Sequence, residues 1–567
     1  MHPCLQVPEL VDMIFRSFDE LDSAPSITAL ARLARTCRLF SEPALDILWS
    51  RLPSIGPLLR LFPEEKWTNE YDAGGSCTVR LLGEPDDEEW PKFLRHAARL
   101  RVLGHLNTEF RPPLILAHTL AFTYLEIRRP VEWLFPNLRC VEWQFDPDFD
   151  ASSILALCMM LSPRVEDVMV MRTTSLPRWA AADLLDELRK FALSHTNLQH
   201  LQVHCTKLTH PTPLVSDVIK GNRGIRTLEV WHHLTEPLSR ETWLEIARLP
   251  RLEKTIVLAD DFLGSEEEQQ QLLKLSEPLF PSLRHVTVQA RDVATFCRYL
   301  DCIHSSFMEG IALIITEAPT NEEVKTLFTK LTKHRSHASL RYLSFNSAFA
   351  CPRDDDSYII TADTLRLLLS FRDLKSCHVA FHCSARPDDA FLSDAATAWG
   401  KTLALFDIGT GWRRRSTQPP AVTLMGLIAF ASRCSRLAQL GVEFNPNVAD
   451  FQEAYDAGER PCLHTFSHIS RFCTGTSLLG GLEEPQIITL AGILSDLFPM
   501  LDDLVSLWDR EEDMLIDEDS DDEDEREDWR KVKSLTKRMA TIRMQERMWA
   551  SLRGEQDIIM AGEELLT

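Results

Sequence analysis

A short apolar phrase of the form Leu-x-x-Leu-x-Leu returns about a dozen times along this chain, roughly every 26–38 residues. In four clear copies the three apolar places are held by Leu138/Val141/Trp143, Leu198/Leu201/Val203, Leu283/Val286/Val288 and Leu340/Leu343/Phe345. A weaker copy lies at Phe122/Leu125/Ile127. A period of this length with one short strand per unit indicates stacked repeats, each of which buries its apolar edge against its neighbours. Repeat proteins of this kind typically bind other molecules, so the pattern favours recognition over catalysis.

Amphipathic segments separate the strand phrases and predict one helix per unit. Examples lie at 181–193, 321–334, 361–371 and 422–434. Thr320 followed by Glu323 predicts a capping box at the start of the second of these helices. Because each strand is followed by a helix, neighbouring strands should pair in parallel, with the helices on the outer face of an arc. The predicted fold class is therefore an α/β solenoid.

Four regions differ in pattern along the chain. Residues 1–62 predict a compact all-helical module, in which Pro43 should mark a break between helices. The repeats occupy 63–505. Residues 506–528 form an acidic run that we expect to be a disordered linker, and 529–567 turn basic and amphipathic, as in a C-terminal helix or tail.

Charge and composition exclude several classes of function. The net charge is −23 over 567 residues, and the stretch 509–528 alone holds 14 acids and 2 bases, so it supplies about half of that charge. An acidic chain of this kind is not expected to bind nucleic acid through its phosphates. No apolar run is long enough to span a bilayer and no secretory signal is visible, so no membrane partner is expected. The 14 cysteines follow no regular spacing and are typical of reduced thiols in the cytoplasm or nucleus.

The motifs of enzymatic chemistry are weak. The Gly409–Trp412 segment lacks the spacing and the lysine of a phosphate-binding loop, and the pair His464 and His468 has no further metal ligand nearby. Cys377 and His378 are adjacent on a strand, so they should point to opposite faces rather than share a metal. No serine–histidine–aspartate arrangement can be defended from sequence. We therefore expect no catalytic residue, no bound metal and no cofactor, and we expect that the protein is not an enzyme.

The first region resembles an F-box, in the form found in F-box proteins with variable leucine-rich repeats. The matching stretches are VPELVDMIF from Val7, LARLARTCRLFSEPAL from Leu30 and the Leu48–Trp49 pair. Val7 replaces the leucine of the family's pattern, and the linker at 22–25 is longer than in that pattern. The repeats lack the asparagine that often ends the strand phrase, so the resemblance implies an irregular leucine-rich-repeat arc.

The resemblance implies partners and a role. In that family the F-box packs an apolar face on the Skp-type adaptor of a cullin-RING ubiquitin ligase, and the repeats bind a protein substrate. Carried over by position, the adaptor contact would comprise Pro8, Leu10, Ile14, Phe15, Leu33, Phe40 and Trp49. So small a module cannot bury all these side chains within itself, which agrees with a partner that covers them. The alternative is that they dock the module onto the first repeat of the same chain.

Residues that alternate with the buried strand positions should line the concave face and bind a protein ligand. They are Glu142, Gln144, His200, Gln202, His204, Glu229, Trp231, His285, Gln289, Tyr342, Asn346, His378 and Asp407. The alternative for each of them is the solvated side of an open sheet. Together they lead to two hypotheses: a substrate receptor of an SCF-type ligase, or a leucine-rich-repeat scaffold with no link to ubiquitin. An enzyme framed by the arc would need a deep pocket with clustered titratable groups.

Overall fold

The protein is described by a computed structural model covering residues 7–19, 24–71, 77–104, 115–145, 151–172, 178–194, 197–205, 212–231, 238–274, 277–351, 355–410, 420–457, 468–480, 482–509 and 525–546. The chain divides into two compact units, Met1–Ile256 and Val257–Thr567. The division falls within one strand, Lys254–Leu258.

Unit 1 begins with three helices and continues with alternating strands and helices. Its helices are α1 (Pro8–Asp19), α2 (Ala24–Ala34), α3 (Arg38–Leu48), α4 (Gly56–Leu59), α5 (Trp90–Ala97), α6 (Thr119–Arg128), α7 (Ala151–Met160), α8 (Arg178–Ser194), α9 (Thr212–Gly221) and α10 (Arg240–Ala247). Its strands are β1 (Arg51–Leu52), β2 (Trp67–Tyr71), β3 (Cys77–Leu81), β4 (Val102–Leu103), β5 (Ile115–Ala117), β6 (Cys140–Gln144), β7 (Asp167–Arg172), β8 (His200–Cys205), β9 (Thr227–Trp231) and β10 (Lys254–Leu258).

The strands of unit 1 form a parallel run in the order β1-β4-β6-β7-β8-β9-β10. Its first strand lies inside the stretch 1–62 that the sequence assigns to the helical module. A separate small sheet pairs β2 with β3 antiparallel and β3 with β5 in parallel. In the main run, Val141, Val168, Leu201 and Leu228 stand opposite one another and are at most 3 % exposed. This in-register row of apolar side chains is the core that the repeat phrase predicts.

Unit 2 repeats the same alternation. Its helices are α11 (Ala259–Leu263), α12 (Glu266–Leu273), α13 (Val293–Cys302), α14 (Asn321–Lys333), α15 (Ala362–Arg366), α16 (Asp389–Trp399), α17 (Leu424–Arg433), α18 (Ala449–Asp456), α19 (Glu484–Leu497) and α20 (525–546). Its strands are β11 (His285–Ala290), β12 (Gly310–Ile315), β13 (Tyr342–Ser347), β14 (Ile360–Thr361), β15 (Ser376–Ala380), β16 (Ala385–Arg386), β17 (Leu405–Ile408), β18 (Gln439–Val442), β19 (Arg471–Cys473) and β20 (Asp503–Val505).

Eight strands of unit 2 form a parallel run in the order β11-β12-β13-β15-β17-β18-β19-β20, and β14 pairs with β16 beside it. One register position runs through all eight strands and is buried in each: Val286, Ile311, Leu343, Cys377, Phe406, Leu440, Phe472 and Leu504. The predicted α/β arrangement of parallel strands and helices in a solenoid-like repeat is confirmed. Strands with an apolar period of two residues alternate with helices with a period of 3.6 residues. Each element is apolar on one side only and buries that side against a neighbouring element.

Two local predictions are wrong. The weak strand phrase at Phe122, Leu125 and Ile127 lies in helix α6, where Phe122 and Leu125 are buried and Ile127 is exposed. A spacing of three residues is also that of one helix face, so this phrase alone does not separate the two structures. Pro43 lies within α3 and does not break it. Phe40 and Ala44 on either side of it are buried, and this packing offsets the hydrogen bond that proline cannot donate.

Candidate functional site

The three N-terminal helices form a small module with a core of its own. Val11, Phe15, Leu30, Phe40 and Ala44 make one buried cluster. The rings of Phe15 and Phe40 meet edge to face at 5.5 Å between centroids. Two of the side chains predicted to touch an adaptor thus hold the module together, because the short helices have little other apolar surface to share.

The other predicted adaptor residues lie in different surroundings. Leu10 and Leu33 are half-buried, and Leu33 packs against the module core. Ile14 is 43 % exposed. Pro8 begins helix α1, but its side chain is outside the described part of the chain.

Four further apolar side chains of the module face solvent, and the sequence-based prediction of the adaptor contact included none of them. Exposed fractions are 40 % for Val7, 62 % for Met13, 52 % for Ile27 and 38 % for Leu39. Apolar residues on both sides of a short helix are the sequence signal for such a second surface. We call Val7, Met13, Ile14, Ile27 and Leu39 the exposed apolar set of the module.

Trp49 lies on the first repeat rather than in the exposed apolar set. Its ring contacts that of His96 in α5 at 4.7 Å between centroids. Burial lowers the pKa of His96, and the charges of Arg99, Arg95 and Lys92 lower it further, so the imidazole is neutral at neutral pH. This contact corresponds to the alternative considered from sequence, in which part of the apolar surface docks the module onto its own repeats.

Ion pairs join α3 to α5 and to Arg99, which follows the end of α5. Arg95 Nη2 and Arg99 Nη2 both contact the carboxylate of Glu42 in α3, and Arg99 Nη1 contacts Asp46 one turn further along α3. The Arg99 side chain is only 10 % exposed. The arginines and the Trp49–His96 ring contact therefore link α3 to α5 and to the residues that follow α5.

In unit 1 the predicted surface residues form three rows across neighbouring strands. Pairing places Glu142, Gln202 and Glu229 in one row, with Met169 between the first two. Gln144 and His204 lie in a second row, with Met171 between them and Trp231 beyond His204. The backbone of Trp231 is described, but its side chain is not.

His200 belongs to the third row, between Asp167 and Thr227. Its Nδ1 lies 2.9 Å from the Thr227 hydroxyl, and its Nε2 lies 3.8 Å from the Asp167 carboxylate. Burial raises the pKa of Asp167, the neighbouring His200 opposes this, and Glu166 adds to it. The row therefore couples a histidine and a carboxylate at the amino end of the strands.

Glu229 departs from the expected solvent-facing position, since its side chain is only 4 % exposed. Lys254 Nζ on the neighbouring strand lies 3.1 Å from its Oε2, and His204 Nε2 lies 3.7 Å away on the other side. Burial acts to raise the pKa of Glu229, but the His204 contact and the Lys254 charge outweigh it, and the pKa lies below its ordinary value. This carboxylate is ionised and paired within the chain.

In unit 2, His285 and Tyr342 lie two strands apart yet touch. Gly310 stands between them in the pairing, and the rings approach to 5.8 Å between centroids. A Cβ on Gly310 would lie 2.5 Å from Nδ1 of His285, so glycine is what allows the contact. Lys375 Nζ lies 5.9 Å from the centroid of the Tyr342 ring, and Tyr342 is 38 % exposed. These residues make an aromatic and cationic patch of the kind that anchors a protein ligand.

Ser344, His378 and Asp407 come together on β13, β15 and β17, an arrangement that was not predicted from the sequence. They share one register row; Ser344 Oγ lies 3.2 Å from His378 Nδ1, and His378 Nε2 lies 3.8 Å from Asp407 Oδ2. The second distance is too long for the hydrogen bond that orients a catalytic histidine. Their common position in consecutive strand phrases was the signal for this cluster.

The remaining predicted residues, Gln289 and Asn346, share a row with Ile314 between them. Both are partly buried. Asn346 Oδ1 is buried and accepts no hydrogen bond within the described residues. The row could therefore accept a donor from a ligand at the carboxyl end of β13.

The described residues contain no group of three or more His, Cys, Asp or Glu side chains placed to hold a metal ion. His464, which the sequence pairs with His468, is outside the described ranges. Cys377 is buried while His378 faces outward, as strand alternation predicts. None of the helices described here is both long and apolar enough to cross a lipid bilayer.

No family model and no curated protein matches the chain. Among solved structures, a Bacteroides fragilis protein from a structural genomics programme is similar at 11 % identity, with a TM-score of 0.27, over 44 % of this chain and 67 % of that one. A likeness at this level carries no argument about fold or function.

Proposed function

We propose that this chain is the substrate-binding subunit of an SCF-type cullin-RING ubiquitin ligase, with an F-box-like module for a Skp-type adaptor and a leucine-rich-repeat arc for a protein substrate. The observation that carries the proposal is the exposed apolar set of the module, in which Met13 is 62 % and Ile27 is 52 % exposed. Apolar side chains in such numbers on so small a module indicate a partner that covers them.

In this proposal the chain performs no bond chemistry. It holds the substrate near the ligase, and the rate of transfer rises because the local concentration rises. The strand-face rows supply the substrate surface, with Tyr342 and His285 as aromatic anchors and His200, Gln202 and His378 as polar contacts. Cullin is reached through the adaptor, and the expected compartment is the cytoplasm or nucleus.

The second candidate is a repeat scaffold with no link to ubiquitin. It is favoured by Trp49, which packs on His96 in the same chain, and by Phe15 and Phe40, which are buried in the module core. If the exposed apolar set binds no adaptor, this candidate replaces the first.

Capture of a purified Skp-type adaptor by the full chain tests the proposal. Ile27→Asp is compared with Ile127→Asp, since the two isoleucines lie on helices of unit 1 and are 52 % and 58 % exposed. We expect Ile27→Asp to weaken adaptor binding at least about tenfold, because it places a charge in a desolvated apolar contact. Ile127→Asp should bind like the unchanged chain. Absence of binding by the folded, unchanged chain contradicts the ligase proposal.

A further inference from the structure

Lysine and arginine side chains gather along one edge of unit 2, where four turns lead into strands β13, β15, β17 and β18. The first residues of these strands pair with one another in one row, so the turns before them lie side by side. These turns are 333–341, 371–375, 400–404 and 433–438. Together they hold eight lysines or arginines and one acid, Asp373, although the chain as a whole has 61 bases and 84 acids. We call the eight the basic edge of unit 2: Lys333, Arg335, Arg341, Arg372, Lys375, Lys401, Arg433 and Arg436.

The basic edge is not neutralised within the described part of the chain. None of its eight side chains forms an ion pair with a residue that the structure describes. Glu309, whose carbonyl accepts from the amide of Arg341, is already paired with Arg284 at 2.8 Å. Arg341 and Lys375 are partly buried and the other six side chains are exposed, so their charges are available to a partner in solution.

Capping of the preceding helices explains only part of this cluster. A cation near the end of a helix can donate to the last carbonyls and interact favourably with the helix dipole. Arg335 donates to the His304 carbonyl at 3.4 Å, and Arg433 donates to the Ser393 hydroxyl at 3.3 Å. The other six side chains donate no hydrogen bond to a described residue. The turn 498–502, which leads from α19 into β20, holds no lysine or arginine, so a helix end in this unit does not require one.

The basic edge has the length of a short extended peptide. Neighbouring strands lie about 4.8 Å apart, so four of them span roughly 14 Å, which is the length of about four extended residues. We propose that the basic edge binds an acidic segment of a protein, and that in the proposed ligase this segment belongs to the substrate. The second statement rests on the proposed function and the first does not. Rows of opposite charge speed association and fix the register of the bound segment.

A nucleic acid is the other polyanion that a basic surface attracts, but the charge of the whole chain disfavours it. The net charge is −23 although the basic edge is positive. A nucleic acid longer than the edge continues over acidic surface, which repels its phosphates. A short acidic segment of a protein carries its charge only where the edge lies, so the peptide is the better match.

Fluorescence anisotropy with the full-length protein tests the proposal at about 150 mM salt, where exposed charges are screened beyond about 8 Å. Three fluorescein-labelled probes are compared: hexaglutamate amide, hexaglutamine amide and hexathymidylate. We expect hexaglutamate to bind at least about tenfold more tightly than either of the others. Absence of hexaglutamate binding, equal binding of hexaglutamine, or equal or tighter binding of hexathymidylate overturns the proposal.

Two double variants locate the binding surface. Arg372→Gln/Lys401→Gln removes charges from adjacent turns of the basic edge and should weaken hexaglutamate binding at least about fivefold. Lys537→Gln/Arg538→Gln removes the same two residue types from α20 in the same unit and should bind like the unchanged chain. All four side chains are exposed and form no ion pair with a described residue, so both variants should keep the fold. Equal losses in the two variants would show attraction to net charge alone and overturn the proposal.

The outcome is separable from that of the adaptor experiment, because hexaglutamate binding needs no adaptor. If hexaglutamate binds at the basic edge and the adaptor does not bind, the basic edge is a docking surface of a repeat scaffold. If the adaptor binds and hexaglutamate does not, the ligase proposal stands and the proposed acidic partner is wrong.

Discussion

Burial determines the reactivity of individual cysteines. Cys377 lies on β15 with no exposed surface, and burial raises the pKa of its thiol to about 12, with a smaller contribution from Asp407. At pH 8 almost none of it is thiolate, so iodoacetamide should leave Cys377 unmodified in the native protein. Peptide mass spectrometry should find it alkylated only after denaturation, whereas half-buried Cys37 should react in the native state. Rapid native alkylation of Cys377 would contradict its position in the core.

Glu443 gives the stability of unit 2 a dependence on pH. Burial raises the pKa of its carboxyl to about 7, although the Thr476 hydroxyl and amide, at 2.6 and 3.0 Å, oppose the shift. Between the ordinary value of 4.5 and about 7, the folded chain keeps a proton that the unfolded chain has released. The free energy of unfolding should therefore fall as pH rises through this window, by up to about 3 kcal/mol from this group.

Glu443→Gln tests this prediction, because glutamine has the same shape and does not ionise. Its melting temperature relative to the unchanged chain should rise between pH 4.5 and pH 7.5. Glu453→Gln, at an exposed position in the same unit, should show a constant difference over that range. Parallel curves for Glu443→Gln would mean that the carboxyl titrates normally in the folded state.

For a single residue, the sequence predicts which face of the sheet its side chain lies on more readily than which side chains it contacts. The strand alternation placed His285 and Tyr342 on one face, but their ring contact depends on Gly310 lying between them in the pairing. Register across strands is set by tertiary packing, which a single sequence does not display. For the same reason, the burial of Glu229 beside Lys254 was missed.

Among the secondary-structure elements, the start of helix α14 was predicted correctly from a local sequence signal alone. Thr320 and Glu323 form the predicted capping box: the Thr320 hydroxyl accepts from the Glu323 amide, and the Glu323 carboxylate accepts from the Thr320 amide at 2.8 Å. Thr320→Ala should lower the free energy of unfolding by about 1 kcal/mol, because the Glu323 amide at the helix start loses its acceptor. Thr326→Ala on the exposed face of the same helix should be nearly neutral. If chemical denaturation gave the same loss of unfolding free energy for both variants, the prediction that the Thr320 cap stabilises the helix would be contradicted.

Local signals were insufficient where one pattern fits two structures. The phrase at Phe122 predicted a strand, but it lies in helix α6. Pro43 predicted a break between helices, but it lies inside α3. In both places burial against neighbouring elements decided the outcome, which propensity alone does not contain. The regular strand phrases succeeded because each is supported by a neighbour in the same register.

For the molecule as a whole, the open end of a repeat array needs a cover, and α20 supplies one in unit 2. Trp529 is fully buried, contacts the ring of Phe444 and donates from Nε1 to the Ser477 carbonyl at 2.8 Å. Glu525, from the acidic run, accepts hydrogen bonds from the amides of Leu479 and Gly480. The sequence predicted a helix near here, but not that an acid of the run would be buried in it.

Removal of α20 should therefore loosen the last repeats of unit 2. A chain ending at 509 loses the Trp529 contacts and the pairing of Arg543 with Asp496, at 3.0 Å, and exposes apolar surface around Phe444. A chain ending at 546 keeps all of these contacts and is the matched control. We expect amide hydrogen exchange of β18, β19, β20 and α19 to accelerate at least about tenfold in the shorter chain only, because local opening no longer has to displace the helix. Unchanged exchange in both chains would show that the final strands are stable without α20, and that the buried tryptophan follows their packing rather than supporting it.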